Sequence, residues 1–353
     1  RSLREIVSSR LRESFLGRDI PVESFDVEYL GSASCAGDER FSVSVRTSRG
    51  QLMPASMAVA SVLSEICSKG IGAEEYLVAR NSVLNGFLRT QTNDALVLRC
   101  VSSYLYGADL ASPATKANFF SSRNMSTKAE TELFNGYTLA LLSEMENPKI
   151  TWTGNEEDYD EWFWPVLFGS VTDGVSMLDK PLYKWPVTAK DTSAFWNERN
   201  KVKMKSVAAE PVSGGEMWTF SNGMKVIYKK MPAAGRFSYS FMIKGGFSTV
   251  RNLPRGEGAF FSDMFGLCNI AGMPGSDFDK VLRVNGVEMS CAVSTSDLRL
   301  YGSAPSNRFM LTLKALLSAA NMRKPSLSAF EPWKRMELAS LKPAYLDSLM
   351  YQD

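Results

Sequence analysis

Gly256-Glu257-Gly258-Ala259-Phe260-Phe261-Ser262-Asp263-Met264-Phe265 separates two patterns in this chain. Before it, Phe237, Tyr239, Phe241 and Ile243 alternate with smaller or polar residues into Gly245-Gly246, as a strand with one covered face does. After it, Phe278, Val281 and Leu282 recur at helical spacing between Ser276, a capping residue, and Gly286, a terminator.

The remainder of this region fits a sheet with helices. Trp218 to Ser221 and Met224 to Tyr228 flank Asn222-Gly223, a two-residue hairpin signal. Val287 to Val293 and Leu298 to Gly302 read as strands, the alternating Phe237, Tyr239, Phe241 face as core. A helix from Ser306 is expected to bury Phe309, Leu313, Leu316 and Leu317, and another runs from about Leu327 towards Leu341.

Residues 1–153 show the same ingredients in another order. A helix over residues 4–16 precedes two strands, Ser24 to Leu30 and Phe41 to Arg46. Helices follow from Met57 to Ser68, Glu74 to Thr90 and Asp94 to Tyr106, and Thr127-Lys128-Ala129-Glu130 has the form of a capping box opening one more. Lys149 to Trp152 reads as a strand. The expected fold class is therefore α+β: two domains, each a mostly antiparallel sheet with helices packed on one face. The domains are 1–153 and 213–353. Between them, residues 154–212 are rich in Trp, Pro, Lys and Asp without sustained periodicity, and read as a linker that packs its aromatics onto the flanking domains.

Composition excludes several functions. Forty basic and 38 acidic residues leave a net charge of +2, so no footprint for nucleic acid exists, and no apolar run reaches the length of a membrane span. The five cysteines, Cys35, Cys67, Cys100, Cys268 and Cys291, are widely spaced and odd in number, which argues against a disulfide framework and against a C-x-x-C metal site. The chain has no histidine. Neither a Ser-His nor a Cys-His nucleophile can be assembled, and the imidazoles that catalytic zinc ordinarily requires are missing. Glu257 and Asp263 read as solvated or capping carboxylates rather than a general acid and base.

These motifs together resemble the pitrilysin/insulinase family of inverted-motif zinc metallopeptidases, which includes the mitochondrial processing peptidase. Its N-terminal type of domain opens on a strand turning through N-G, as Phe220 to Val226 does, and continues into a Gly-rich strand end, as Ser240 to Gly246 does. Its metal-binding helix, G-x-A-H-F-x-E-H-M-x-F, aligns with Gly256 to Phe265, and its S-T-x-x-D segment resembles Ser294-Thr295-Ser296-Asp297. Only the letters without chemistry match: Ala259, Ser262 and Asp263 stand where the family's first His, Glu and second His would be. The first half is similar to the companion domain, Arg10-Leu11-Arg12-Glu13 to its R-L-x-x-x-L-R-E helix end and Gly72 to Arg80 to its G-x-x-x-E-E-L-x-x-A-K signature.

The resemblance implies a C-terminal-type domain lacking its opening strand, then an N-terminal-type domain lacking its last elements, joined by a hinge between halves at 154–212. It implies no catalytic residue and no metal ligand in this chain, with zinc expected in an upstream domain of the parent protein. The family's substrate-orienting Arg falls at Arg12 and its Tyr near Asp19; the distal zinc-ligating Glu falls near Ser340, with Glu337 a turn away. Implied partners are a peptide or unfolded protein and either the upstream catalytic half or an active partner subunit, in which case this chain is a catalytically dead scaffold. A peptide would pair with the edge strand Val287 to Val293. A periplasmic, bacterial parent is the expected setting.

Overall fold

A computed structural model describes residues 1–143 apart from 31–39, 49, 89–91 and 122–124, scattered positions between 150 and 196, and residues 202–350 apart from 232–234, 255–256 and 322–324. The fold is α+β, and every strand pair among the described residues is antiparallel. Two compact units are formed: Arg1–Ala189 with Arg283–Gly286 and Pro325–Asp353, and Lys190–Leu282 with Val287–Lys324. No helix among the described residues is long and apolar enough to cross a membrane.

The first unit is built around helix α2 (Leu52–Lys69), whose residues from Ala55 to Ile66 are nearly all buried. That is the behaviour of a helix covered on every side. Helix α1 (Ser2–Gly17) packs against it with Leu3, Ile6, Val7, Leu11 and Phe15, the i, i+3, i+4 stripe visible in the sequence. Full burial of each such side chain contributes about 1.5–3 kcal/mol. Strands β1 (Val22–Leu30) and β2 (Arg40–Thr47) form the antiparallel hairpin, and Phe25 of β1 meets Phe15 edge-on at 5.4 Å. Helices α3 (Ala73–Leu88), α4 (Asn93–Tyr106), α5 (Pro113–Ser121) and α6 (Thr127–Ser143) follow.

Helix α5 has no counterpart in the periodicity reading, although Ser112-Pro113 announces it: the Ser112 hydroxyl accepts the Thr115 amide at 3.0 Å, and proline suits the first helical position. The cap of α6 is Ser126, not Thr127: Ser126 Oγ accepts the Ala129 amide, while the Glu130 carboxylate pairs with Arg80 at 3.4 Å. Ile150 and Thr151 have no strand conformation; the rest of the strand expected at Lys149 to Trp152 lies outside the described residues. So does most of 154–212.

In the second unit, β3 (Met204–Glu210), β4 (Gly215–Phe220) and β5 (Lys225–Tyr228) form one sheet, and the hairpin expected between β4 and β5 turns through three residues rather than two, Ser221-Asn222-Gly223, with Phe220 N donating to Met224 O at 2.9 Å and Gly223 N to Phe220 O at 3.0 Å. Gly223 takes φ +85°, which glycine adopts without steric cost. Strand β3 shows no alternation because six of its seven residues are exposed, so no buried face imposed a period of two. The principal sheet has the order β6-β10-β9, from β6 (Arg236–Lys244), β10 (Asp297–Pro305) and β9 (Glu288–Val293). Helix α7 (Met264–Leu267) is a single turn, followed by the two-residue strands β7 (Asn269–Ile270) and β8 (Met273–Pro274).

Helix α8 (Gly275–Val284) starts one residue before the expected cap Ser276. A Cβ at Gly275 would stand 2.7–2.9 Å from the carbonyl oxygens of Gly266, Cys268 and Phe265, so close packing selects glycine there. Helix α9 (Phe309–Ala320) buries Thr312, Ala315, Leu316, Ser318 and Ala319, leaving Phe309 55% and Leu313 40% exposed against expectation. The hydroxyls of Thr312 and Ser318 bond to Arg308 O and Lys314 O, which lets small polar residues be buried, and Phe309 lies over Phe237 at 5.6 Å instead. Helix α10 (Leu327–Met350) belongs to the first unit, against β1 and α1.

Candidate functional site

The glycines that end β6 prepare the ground for the motif stretch. Gly246 has φ +65°, and a Cβ there would lie 2.4 Å from Ser294 O and 2.6 Å from Thr295 O. The Ser294-Thr295-Ser296-Asp297 turn sits directly on it: Gly245 N donates to Ser296 O at 2.8 Å, Phe247 N to Ser294 O at 3.0 Å and Ser248 N to Thr295 O at 3.1 Å. Ser294 Oγ accepts the amides of Ser296 and Asp297, which shapes the turn locally. Two segments about fifty residues apart in sequence, singled out separately for their letters, thus form one backbone junction.

The stretch between them is not the continuous α-helix expected. Glu257–Ser262 is a 3₁₀ helix, and α7 supplies only one α-helical turn after Asp263. Amides reach back three residues, Asp263 N to Phe260 O and Gly266 N to Asp263 O, both at 3.1 Å. With about three residues per turn, positions 259 and 262 eclipse while position 263 turns about a third of the way round. The face that would join Ala259 and Asp263 does not form. Glycines at 258 and 266 lower helix propensity, and the Phe247 ring lies 3.2 Å from where a Cβ of Gly258 would stand, so glycine lets the ring approach closely.

Ser262 has a structural occupation. Its Oγ accepts the Val293 amide at 3.1 Å, tying the 3₁₀ segment to the end of β9. Because the Ser294 amide turns to Asp297 O, antiparallel alternation directs the amides of Val293, Cys291 and Met289 away from β10. Strand β9 is an edge of the three-stranded sheet, as is β6 on the other side. Glu257 and Asp263 are exposed. Glu337 lies on α10, in the first unit, and Asp263 in the second; the side chain of Ser340 lies outside the described residues.

Arg12 is exposed on α1, and Asp19 takes a left-handed φ of +58°, with its carboxylate held by Arg335 Nε. The buried charge of this region is Arg10. Its guanidinium donates twice to Glu75, Nε to Oε1 at 2.8 Å and Nη2 to Oε2 at 2.7 Å, and once to Gly70 O at 3.3 Å. Both side chains are more than nine-tenths buried. Asn135 clamps the same turn, its amide exchanging two hydrogen bonds with the backbone of Ile71. Arg10 and Glu75 both stood in quoted motifs, but no local period marks them as partners.

Three weak acids of the second unit are shifted. Burial, reinforced by the Glu288 carboxylate, raises the Tyr239 phenol. Burial pushes the Cys291 thiol up to about 11, with Cys268 adding to it, and raises Cys268 itself. Each folded-state value lies above the unfolded one, so the neutral forms are stable at neutral pH and stability falls as pH rises. From the ordinary thiol value of 9.0 to about 11, the unfolded chain sheds the Cys291 proton first. Thermal unfolding at stepped pH should therefore show a constant midpoint for this unit up to about pH 9 and a decline beyond it. A Cys291→Ser, Cys268→Ser variant should lose part of that alkaline slope.

No protein-family model matches the sequence, and no curated protein matches it. Among solved structures, the chain is similar to the periplasmic protease PqqL from Escherichia coli, with a TM-score of 0.38 and 14% identity over 96% of this chain and 38% of that one. A mutant of the ferredoxin protease FusC, in complex with Arabidopsis ferredoxin, gives a TM-score of 0.39 and 12% identity over 97% of this chain and 38% of that one. This chain therefore spans 38% of the length of each.

Proposed function

We propose that this chain is a non-catalytic portion of a pitrilysin-like zinc metalloendopeptidase, forming part of the wall that encloses an unfolded peptide. The hinge between halves is the part of 154–212 that precedes β3, since Met204–Glu210 belongs to the sheet of the second unit, and zinc chemistry belongs to an upstream domain. The observation that carries the reading is the state of the motif stretch. A chain without histidine has Ala259, Ser262 and Asp263 at the three chemical positions, and Ser262 is committed to the Val293 amide. Hydrolysis by this family's chemistry needs two imidazoles and a carboxylate base around one metal.

Further support comes from the junction of Gly245-Gly246 with Ser294 to Asp297, two signatures on which the resemblance rests. With the Val293 amide held by Ser262, the amides of Cys291 and Met289, directed away from β10, offer an extended peptide the main-chain pairing that edge strands generally use. Elemental analysis of the purified chain should find no stoichiometric zinc, and an unstructured fluorogenic peptide should remain uncut. One zinc per chain that disappears in Asp263→Ala, together with peptide cleavage, would overturn the proposal.

A further inference from the structure

Strand β6 leaves a long edge of the principal sheet open. Ser306 N donates to Gly235 O at one end and Gly245 N to Ser296 O at the other, so the odd-numbered residues between them carry the ladder to β10. Antiparallel alternation then directs the amides of Ser238, Ser240, Met242 and Lys244 away from β10, into a lane that no other described strand occupies. Phe237, Tyr239, Phe241 and Ile243 border that lane on the covered face, beside Ala304, Gly302, Leu300 and Leu298 of β10. Leu300 and Ala304 are fully buried, whereas the β6 row is only half-buried and Ile243 is 36% exposed, because no further strand flanks it among the described residues.

Open edges are ordinarily protected, and the other edges of the second unit show how. Strand β3 carries Lys205 at a register shift between Met204 and Ser206, β5 is four residues long and runs into Lys229-Lys230, and β9 gives its Val293 amide to Ser262. Strand β6 runs nine residues without proline, bulge or internal charge.

We propose that β6 is a docking edge for an extended peptide carrying apolar side chains at alternate positions, a site separate from β9. Main-chain pairing along the lane places those side chains against Phe237, Tyr239, Phe241 and Ile243. The intervening ones fall beside Ser238 and Ser240, whose small side chains leave room. A second copy fits less well. In the full antiparallel register, two β6 strands set Arg236 of one opposite Lys244 of the other at both ends, and like charges so placed repel. The inference rests on the reading of this chain as part of a peptide enclosure, and names the chemistry of its guest.

Fluorescence anisotropy with a labelled nonapeptide alternating valine and threonine should show saturable binding to the full chain. Ser240→Pro removes one outward amide while sparing the ladder to β10, and should weaken binding about tenfold or more with an unchanged melting temperature. Two isomers of the peptide, N-methylated on one or the other set of alternate residues, carry the test independently of that variant: one should bind like the parent peptide and the other not at all. In the free chain, the amides of Ser238, Ser240 and Met242 should exchange with solvent faster than those of Phe237, Tyr239 and Phe241. Absence of binding overturns the proposal, as does binding indifferent to Ser240→Pro or to the methylation pattern. Slow exchange at the outward amides also overturns it, since part of the same chain then covers the edge, and so does self-association abolished by Ser240→Pro, since a second copy then occupies it. Binding is read with uncut peptide, so these outcomes stand apart from the zinc and cleavage assays that test the functional reading.

Discussion

Glu75→Gln should destabilise the first unit by about 3–5 kcal/mol, the usual consequence of removing one partner from a buried ion pair. The amide keeps the shape of the carboxylate but removes the negative charge that the Arg10 guanidinium, 4% exposed, meets through two hydrogen bonds. The bond from Nη2 to Gly70 O involves no charge and remains in the variant. Arg10→Met combined with Glu75→Leu removes both charges and should recover much of the loss, because apolar replacements of similar volume carry no desolvation penalty. Urea unfolding of Glu75→Gln, of Arg10→Met and Glu75→Leu singly, and of their combination checks this, the last three forming a cycle with the parent chain. Equal losses in Glu75→Gln and in the double variant would show that shape, not charge, holds α1 to α3.

Gly302→Ala should cost the second unit about 3 kcal/mol or more, at the upper end of overpacking effects. Gly302 lies in the central strand β10, opposite Tyr239 of β6 and Met289 of β9. The Tyr239 ring crosses the gap that glycine leaves and donates its hydroxyl to Glu288 O at 2.7 Å. A Cβ at residue 302 would fall 1.9 Å from that carbonyl oxygen and 3.1 Å from the Tyr239 hydroxyl. Either the hydrogen bond breaks or β9 separates from β10. Gly136→Ala supplies the contrast. Within α6 its Cβ meets nothing within 4 Å, so it should stabilise by about 0.5–1 kcal/mol through helix propensity and the unfolded chain. Differential scanning calorimetry of both variants would show opposite shifts.

Features governed by neighbours in sequence were legible. Asn222-Gly223 sits in its hairpin turn because the positive φ that the turn needs falls on Gly223, a local requirement, and α2, α4 and α8 stop at Gly70, Gly107 and Gly286, all with positive φ. Face assignments were less secure. Helix α9 turns Phe309 outward although its letters favour burial, and α4 turns a whole apolar face outward, because the sheet or helix opposite, not the helix itself, decides which side is covered. The motif stretch carried the resemblance in its letters, yet its 3₁₀ segment is met by Phe247 and Val293, which reach it from outside the stretch.

The sequence by itself determined the fold class, most helix ends and the chemistry missing from Gly256 to Phe265, because absence of histidine and local backbone preference need no partner to be read. The tertiary structure alone decided that Arg10 meets Glu75, that Tyr239 reaches Glu288 O over Gly302 and that Ser262 holds the end of β9. Those contacts join residues 65, 49 and 31 positions apart, distances over which only the packed chain, and no helical or strand period, brings one side chain to another.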